Sequence, residues 1–116
     1  MTITPEIHFD SIDASEAVAE RIRQKTARLA KRFDRLTHLR ATIAAPHKHG
    51  QKDKVYQVKL LIGVPGRSDL AVSSEGSGDH AHEDVHLAVR DAFETAERRL
   101  SELFDKMRGD VKSRGG

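Results

Sequence analysis

Residues 55–66 read V-Y-Q-V-K-L-L-I-G-V-P-G. Tyr56, Val58, Leu60, Ile62 and Val64 recur at every second position, the period of a strand with one apolar face. Pro65-Gly66 then reads as a type II turn, with Gly supplying the positive φ. A half-buried strand needs neighbours and a cover, so the flanking sequence is read for both. Downstream, L-A-V-S-S-E (70–75) is a short strand. Upstream, L-R-A-T-I-A-A-P (39–46) alternates and stops at a proline. T-I-T-P-E-I-H-F (2–9) sets Ile3, Pro5, Ile7 and Phe9 against Thr4, Glu6 and His8; its proline suits an edge or a strand start.

Two segments switch to the helical period. Asp13 or Ser15 can cap a helix that runs to about Phe33, with Glu16 three residues after Asp13 in a capping-box arrangement. Its apolar stripe is Val18, Ile22, Leu29 and Phe33, with Leu36 beyond. From about Glu83 to Met107, a second helix repeats Val85, Val89, Ala92, Phe93, Ala96, Leu100, Leu103, Phe104 and Met107 at three-and-four spacing. The order is βαβββα. The first helix makes strands one and two parallel neighbours by a crossover, right-handed by default, and the last three strands form an antiparallel meander. The expected fold class is α+β: a two-layer sandwich with both helices on one face of a four-stranded mixed sheet, the other face wet. Residues 1–108 read as a single domain and 109–116 as a flexible basic tail.

Composition narrows the function classes. The chain has 116 residues, 37% of them hydrophobic, with no Cys, no Trp and one Tyr. One domain is the expectation at this length. Without Cys, disulfides and thiolate zinc sites are excluded. No apolar run approaches the length of about 18 residues that marks a membrane span. The N-terminus lacks the basic-then-apolar build of a signal peptide, so a soluble cytoplasmic protein is expected. Net charge is +2 at pH 7, but it is unevenly placed. Residues 21–54 hold eleven Lys/Arg against Asp34 and Asp53, a block of +9, which leaves −7 for the rest. Such polarity suits a densely negative partner, nucleic acid first, or a solvated basic helix.

The basic residues are periodic. Arg21, Lys25, Arg28, Arg32 and Arg35, with Lys31 beside them, fall at steps of four and three, about a quarter turn from the apolar stripe. Cations at every helical turn along about 20 Å match phosphates on a structured nucleic acid. A solvated helix would mix acids into that row. Here Glu16 and Glu20 are confined to the first turn. In the polar connection P-H-K-H-G-Q-K-D-K (46–54), Lys48, Lys52 and Lys54 form a basic hairpin tip that could reach a phosphate, or a solvated turn. With one Tyr and no Trp there is no stacking platform for single-stranded bases. Recognition of RNA by shape and backbone is favoured instead.

H-E-D-V-H (82–86) has the spacing of a zinc-peptidase helix. Its residues, however, open the second helix rather than sit inside it, and a third ligand is missing; only His80 lies near. His80, His82 and His86 are therefore weak metal candidates. A polar helix start, where Glu83 and Asp84 suit the dipole, is favoured. No catalytic residue and no cofactor are assigned: phosphate loop, Cys nucleophile and nucleophile elbow are all absent from the sequence.

Taken together, the βαβββα order, the basic helix ending K-R-F-D-R-L (31–36), the strand closing V-P-G and the segment E-G-S-G-D-H-A-H-E-D-V-H-L-A-V-R-D-A-F (75–93) resemble the ribosome hibernation-promoting factors and ribosome-associated inhibitor proteins. Asp84, Val85, His86, Ala88 and Val89 occupy that family's helix-start motif, with histidine in place of its tyrosine. The resemblance implies a non-enzymatic protein that binds small-subunit rRNA in the mRNA and tRNA channel of idle ribosomes and blocks translation there. By position it implies RNA contacts at Lys25, Arg28 and Arg35, and at Arg98 on the second helix. E-T-A-E-R-R-L-S-E-L (94–103) is more acidic than the Lys-rich version usual in the family. With no C-terminal extension, the short type, acting on a single ribosome, is expected. The rival readings are a general structured-RNA binder on the same fold and a His-based metal protein.

Overall fold

A computed structural model describes residues 3–45, 56–74 and 84–115, with side chains through Arg108. Strand β1 (Glu6–Asp10) is followed by helix α1 (Glu16–Arg32), strands β2 (Leu39–Ala44), β3 (Gln57–Ile62) and β4 (Leu70–Ser74), and helix α2 (Val85–Gly115). The sheet order is β1-β2-β3-β4. β1 runs parallel to β2, with Ile7 opposite Ala41 and Phe9 opposite Ile43. β2–β3 and β3–β4 are antiparallel, so Leu60 stands between Ala41 and Val72. The expected α+β two-layer sandwich is the observed one.

Burial follows the alternation. Ala41, Ile43, Val58, Leu60, Ile62 and Val72 are buried under Val18, Ile22 and Leu29 of α1 and Val89, Ala92, Phe93, Ala96 and Leu100 of α2. β1 is half-buried at Ile7 and Phe9 only, as befits an edge. On the other face Lys59 and Leu61 point outward; at 38% exposure Leu61 is the large apolar side chain most open to water among the described residues. That face carries Glu6, whose Oε1 lies 3.0 Å from His8 Nε2 and whose Oε2 accepts from Arg40 Nε at 3.1 Å. These two bonds, His8 first, hold the Glu6 carboxyl below its ordinary pKa.

Element ends differ from the sequence reading by a few residues, each for a local reason. Ladder pairing on β1 begins at Glu6 because Pro5 has no N–H to donate. Ser15 is the N-cap of α1, accepting from the Val18 N–H at 3.3 Å. Glu16 is then the first helical residue, so the capping box with Asp13 does not form; Glu16 accepts from Arg23 instead. α1 ends when the Phe33 N–H bonds back to the Leu29 carbonyl. α2 starts one residue after Asp84, whose carboxylate accepts the His86 N–H at 2.9 Å. Its backbone continues past Met107 to Gly115. The segment lacks proline, and a single interior glycine costs a helix only about 1 kcal/mol.

The hairpin between β3 and β4 fixes two glycines. Gly66 has φ 75°, as a type II turn requires after Pro65. Gly63 is extended past the end of β3 by reciprocal backbone bonds: Thr37 N–H to its carbonyl at 3.0 Å, and its own N–H to the His38 carbonyl at 2.9 Å. A Cβ there would run into Thr37 Oγ1 and the His38 ring. That ring is held by Asp69 Oδ2 at 2.9 Å and Thr37 Oγ1 at 3.0 Å.

Two outcomes check this architecture. In urea unfolding, Leu60→Ala should cost about 2–5 kcal/mol, while the adjacent Leu61→Ala should stay within about 0.5 kcal/mol. For acid, the depressed Glu6 carboxyl contributes stability that is present above its ordinary value of 4.5 and is lost as the pH falls through its lower folded value. The effect is small, because the pair is exposed and screened. Glu6→Gln should therefore lower stability slightly at pH 7 and leave it unchanged at pH 2, read by urea midpoints at the two pH values.

Candidate nucleic-acid interface

The periodic cations of α1 come to lie along the seam between the two helices. With both apolar stripes pressed on one sheet face, α1 and α2 must lie side by side, and one flank of each faces the other. At 100° per residue, Arg21, Lys25, Arg28 and Arg32 occupy the flank of α1 turned to α2. Lys25, Arg28 and Arg32 line a groove together with Leu29, Phe93, Glu94 and Glu97. Arg21, Arg28 and Arg32 are exposed and Lys25 is half-buried. Arg23, on the opposite flank, is taken up by Glu16 at 2.8 Å and Glu20 at 3.0 Å.

The groove is electrostatically uneven. Lys25 has its pKa pushed down, chiefly by burial and then by the neighbouring guanidinium groups of Arg21 and Arg28. Glu94 opposes that shift, and Arg90 adds to it. An under-solvated ammonium among like charges gains from an incoming anion, which would restore the lost stabilisation of its charged form. Arg28 has no ion pair among the described residues. Arg32 is different: its Nη1 donates to Glu97 Oε1 across the groove, and its guanidinium carbon lies 5.2 Å from the Phe33 ring centroid. Arg90 is directed to Glu94 at 3.8 Å and to Asp91 at 3.4 Å.

The other residues singled out in the sequence fall in several places. Lys31 is exposed near the end of α1, beside the row. Arg35 lies in the turn beyond the helix, so it leaves the helical row; it borders a second hollow with Phe33, Phe104, Met107 and Arg108. There Phe33 and Phe104 stack, 5.7 Å between centroids and 15° between planes. Arg98 is exposed on α2 but does not line the groove. Lys48, Lys52, Lys54, His80 and His82 lie outside the described residues. His86 is half-buried in the first turn of α2, and its backbone takes part in the Asp84 cap. Among the described residues, no group of three or more His, Asp or Glu is gathered as a metal would need.

Sequence reasoning missed Glu94 and Glu97 as members of the site. Their acidity was plain in E-T-A-E-R-R-L-S-E-L, but nothing in the periodicity of α2 named the element that its polar flank would meet.

Comparisons with known proteins agree on the fold. The chain aligns with a ribosomal subunit interface protein from Coxiella burnetii at a TM-score of 0.70 and 19% identity, over 90% of this chain and 99% of that one. It aligns with the N-terminal domain of Protein Y from Thermus thermophilus at a TM-score of 0.64 and 17% identity, over 89% and 99%. No curated protein matches the chain in sequence. Residues 6–108 match the family described as Sigma 54 modulation protein / S30EA ribosomal protein. That span takes in every strand, α1 and most of α2, and it bears out the resemblance drawn from the sequence: the chain belongs to the Sigma 54 modulation / S30EA ribosomal protein family.

Proposed function

We infer that this protein is a ribosome-associated, cytoplasmic hibernation factor that inhibits translation by occupying small-subunit rRNA in the mRNA and tRNA channel. The observation that carries the reading is the family match over residues 6–108. The groove supplies the chemistry. Arg21, Lys25 and Arg28 present successive cations at one-turn intervals on a rigid, packed helix, which is the spacing that phosphates of a folded RNA offer. Lys31, Arg32 and Arg35 extend the contact toward the end of α1. Lys48, Lys52 and Lys54 on the β2–β3 connection, with Arg98 on α2, are secondary contacts. The action is occupancy, with no bond made or broken. No described helix is long and apolar enough to cross a membrane.

Co-sedimentation with bacterial ribosomes tests the reading. Wild type should pellet with small subunits, and a variant with Lys25, Arg28 and Arg32 all changed to Glu should remain in the supernatant with an unchanged circular dichroism spectrum. Retained binding by that variant would place the contact surface elsewhere. The affinity should also fall steeply with salt, since each phosphate contacted adds about 0.9 to the slope of log K against log salt. A flat response would assign the association to protein–protein contacts. Equal affinity for an unrelated RNA duplex would favour the general structured-RNA binder.

A further inference from the structure

Glu97 takes up one guanidinium donor of Arg32, Nη1, that would otherwise be open to a phosphate. The two residues are 65 apart in sequence and joined by a hydrogen bond across the α1–α2 groove. Both side chains remain open to solvent, Arg32 at 54% and Glu97 at 46%. The Phe33 ring supports the same guanidinium from another side. Glu94 borders the groove on the preceding turn of α2, so three cations there meet two carboxylates.

An ion pair this exposed contributes little to holding the helices together. Its larger effect falls on any polyanion that approaches. The gain that drives RNA binding is release of the cations condensed on its phosphates, and a guanidinium already paired with Glu97 brings less net positive charge with which to displace them. The displaced carboxylate then remains beside the incoming phosphates and repels them.

We propose that Glu97 is an internal competitor for Arg32: it occupies the cation in the free protein and must yield before a phosphate of structured RNA takes its place. The proposal rests on the groove being the RNA-binding face. It makes that face selective. A ligand that offers one phosphate at a time gains nothing at Arg32. A folded RNA that also engages Lys25 and Arg28 holds its backbone against the groove, so the Arg32 exchange becomes intramolecular and favourable. The same pair explains how an acidic α2 can coexist with a basic α1: the acids moderate the row without removing it.

The test is equilibrium binding of the full chain to small ribosomal subunits over about 50–200 mM salt. It compares wild type, Glu97→Gln, Arg32→Gln and the double variant, with Glu102→Gln as a control for net charge. Glu102 is exposed on α2 and does not line this groove. Glu97→Gln should bind about three- to tenfold tighter at low salt, with a salt slope steeper by about 0.7–0.9. Glu102→Gln should stay within about twofold of wild type, its charge being screened from the groove. In the Arg32→Gln background, the gain from Glu97→Gln should vanish, as a pairwise coupling requires. Glu97→Ala, which keeps helix propensity, should reproduce the gain if the glutamine variant folds poorly. Unchanged or weaker binding by both Glu97 variants, while wild type binds, overturns the proposal and leaves the RNA-face reading standing. So does an equal gain with and without Arg32. Failure of wild type and all variants to bind defeats the RNA-face reading and the proposal with it. Binding by the Glu97 variants alone supports the competitor.

Discussion

The architecture depends on one constraint: a four-stranded sheet whose large apolar side chains, Leu61 apart, emerge on the same face. Val58, Leu60 and Ile62 on the central β3 leave no exposed surface, and neither do Ala41 and Ile43 on β2. Covering that face takes two helices, and each must turn its own stripe downward. The helices then have no freedom to rotate, because a rotation of one residue would lift Ile22 or Leu100 out of the core at a cost of about 1.5–3 kcal/mol apiece. Everything polar on α1 and α2 is placed as a consequence. The basic flank of α1 and the acidic flank of α2 meet because the cores beneath them meet.

That placement changes what the charges mean. Read along the chain, the cations of α1 form an uninterrupted row with acids only near its start, at Glu16 and Glu20. In the fold the row has three kinds of member. Arg28 projects from the groove with no ion pair among the described residues, Lys25 is crowded by like charge and burial, and Arg32 is engaged by Glu97. The wet sheet face is organised differently. Arg40 and His8 both converge on Glu6, and Lys59 is exposed on the same face. At the seam, three cations line the groove against two carboxylates.

Several elements were legible in the sequence because each rests on local chemistry. Alternation located β3 and β4, and a proline followed by glycine located the turn between them, where Gly66 takes the left-handed conformation that other residues avoid. H-E-D-V-H reads as a helix start because it opens the second helix, lacks a third ligand and sets Glu83 and Asp84 where the dipole favours acids; Asp84 caps the His86 N–H, and His82 and Glu83 fall outside the described residues. Less legible were the choices between equivalent local options. Asp13 and Ser15 were both competent caps, and Ser15 is the one used, accepting the Val18 N–H.

The sequence by itself determined the element order, the apolar face of each element, the membership of a basic row and the likeness to a ribosome-associated family, since all of these follow from periods and motifs along one chain. Only the tertiary structure decided which flank of α2 lies against that row, that Arg35 leaves the row as α1 ends at Arg32, that the Thr37 and His38 side chains close over Gly63, and that Glu97 answers Arg32. The physical reason is the same in each case. A side chain's period fixes its direction relative to its own element, whereas its partner depends on how two elements are set against a shared core.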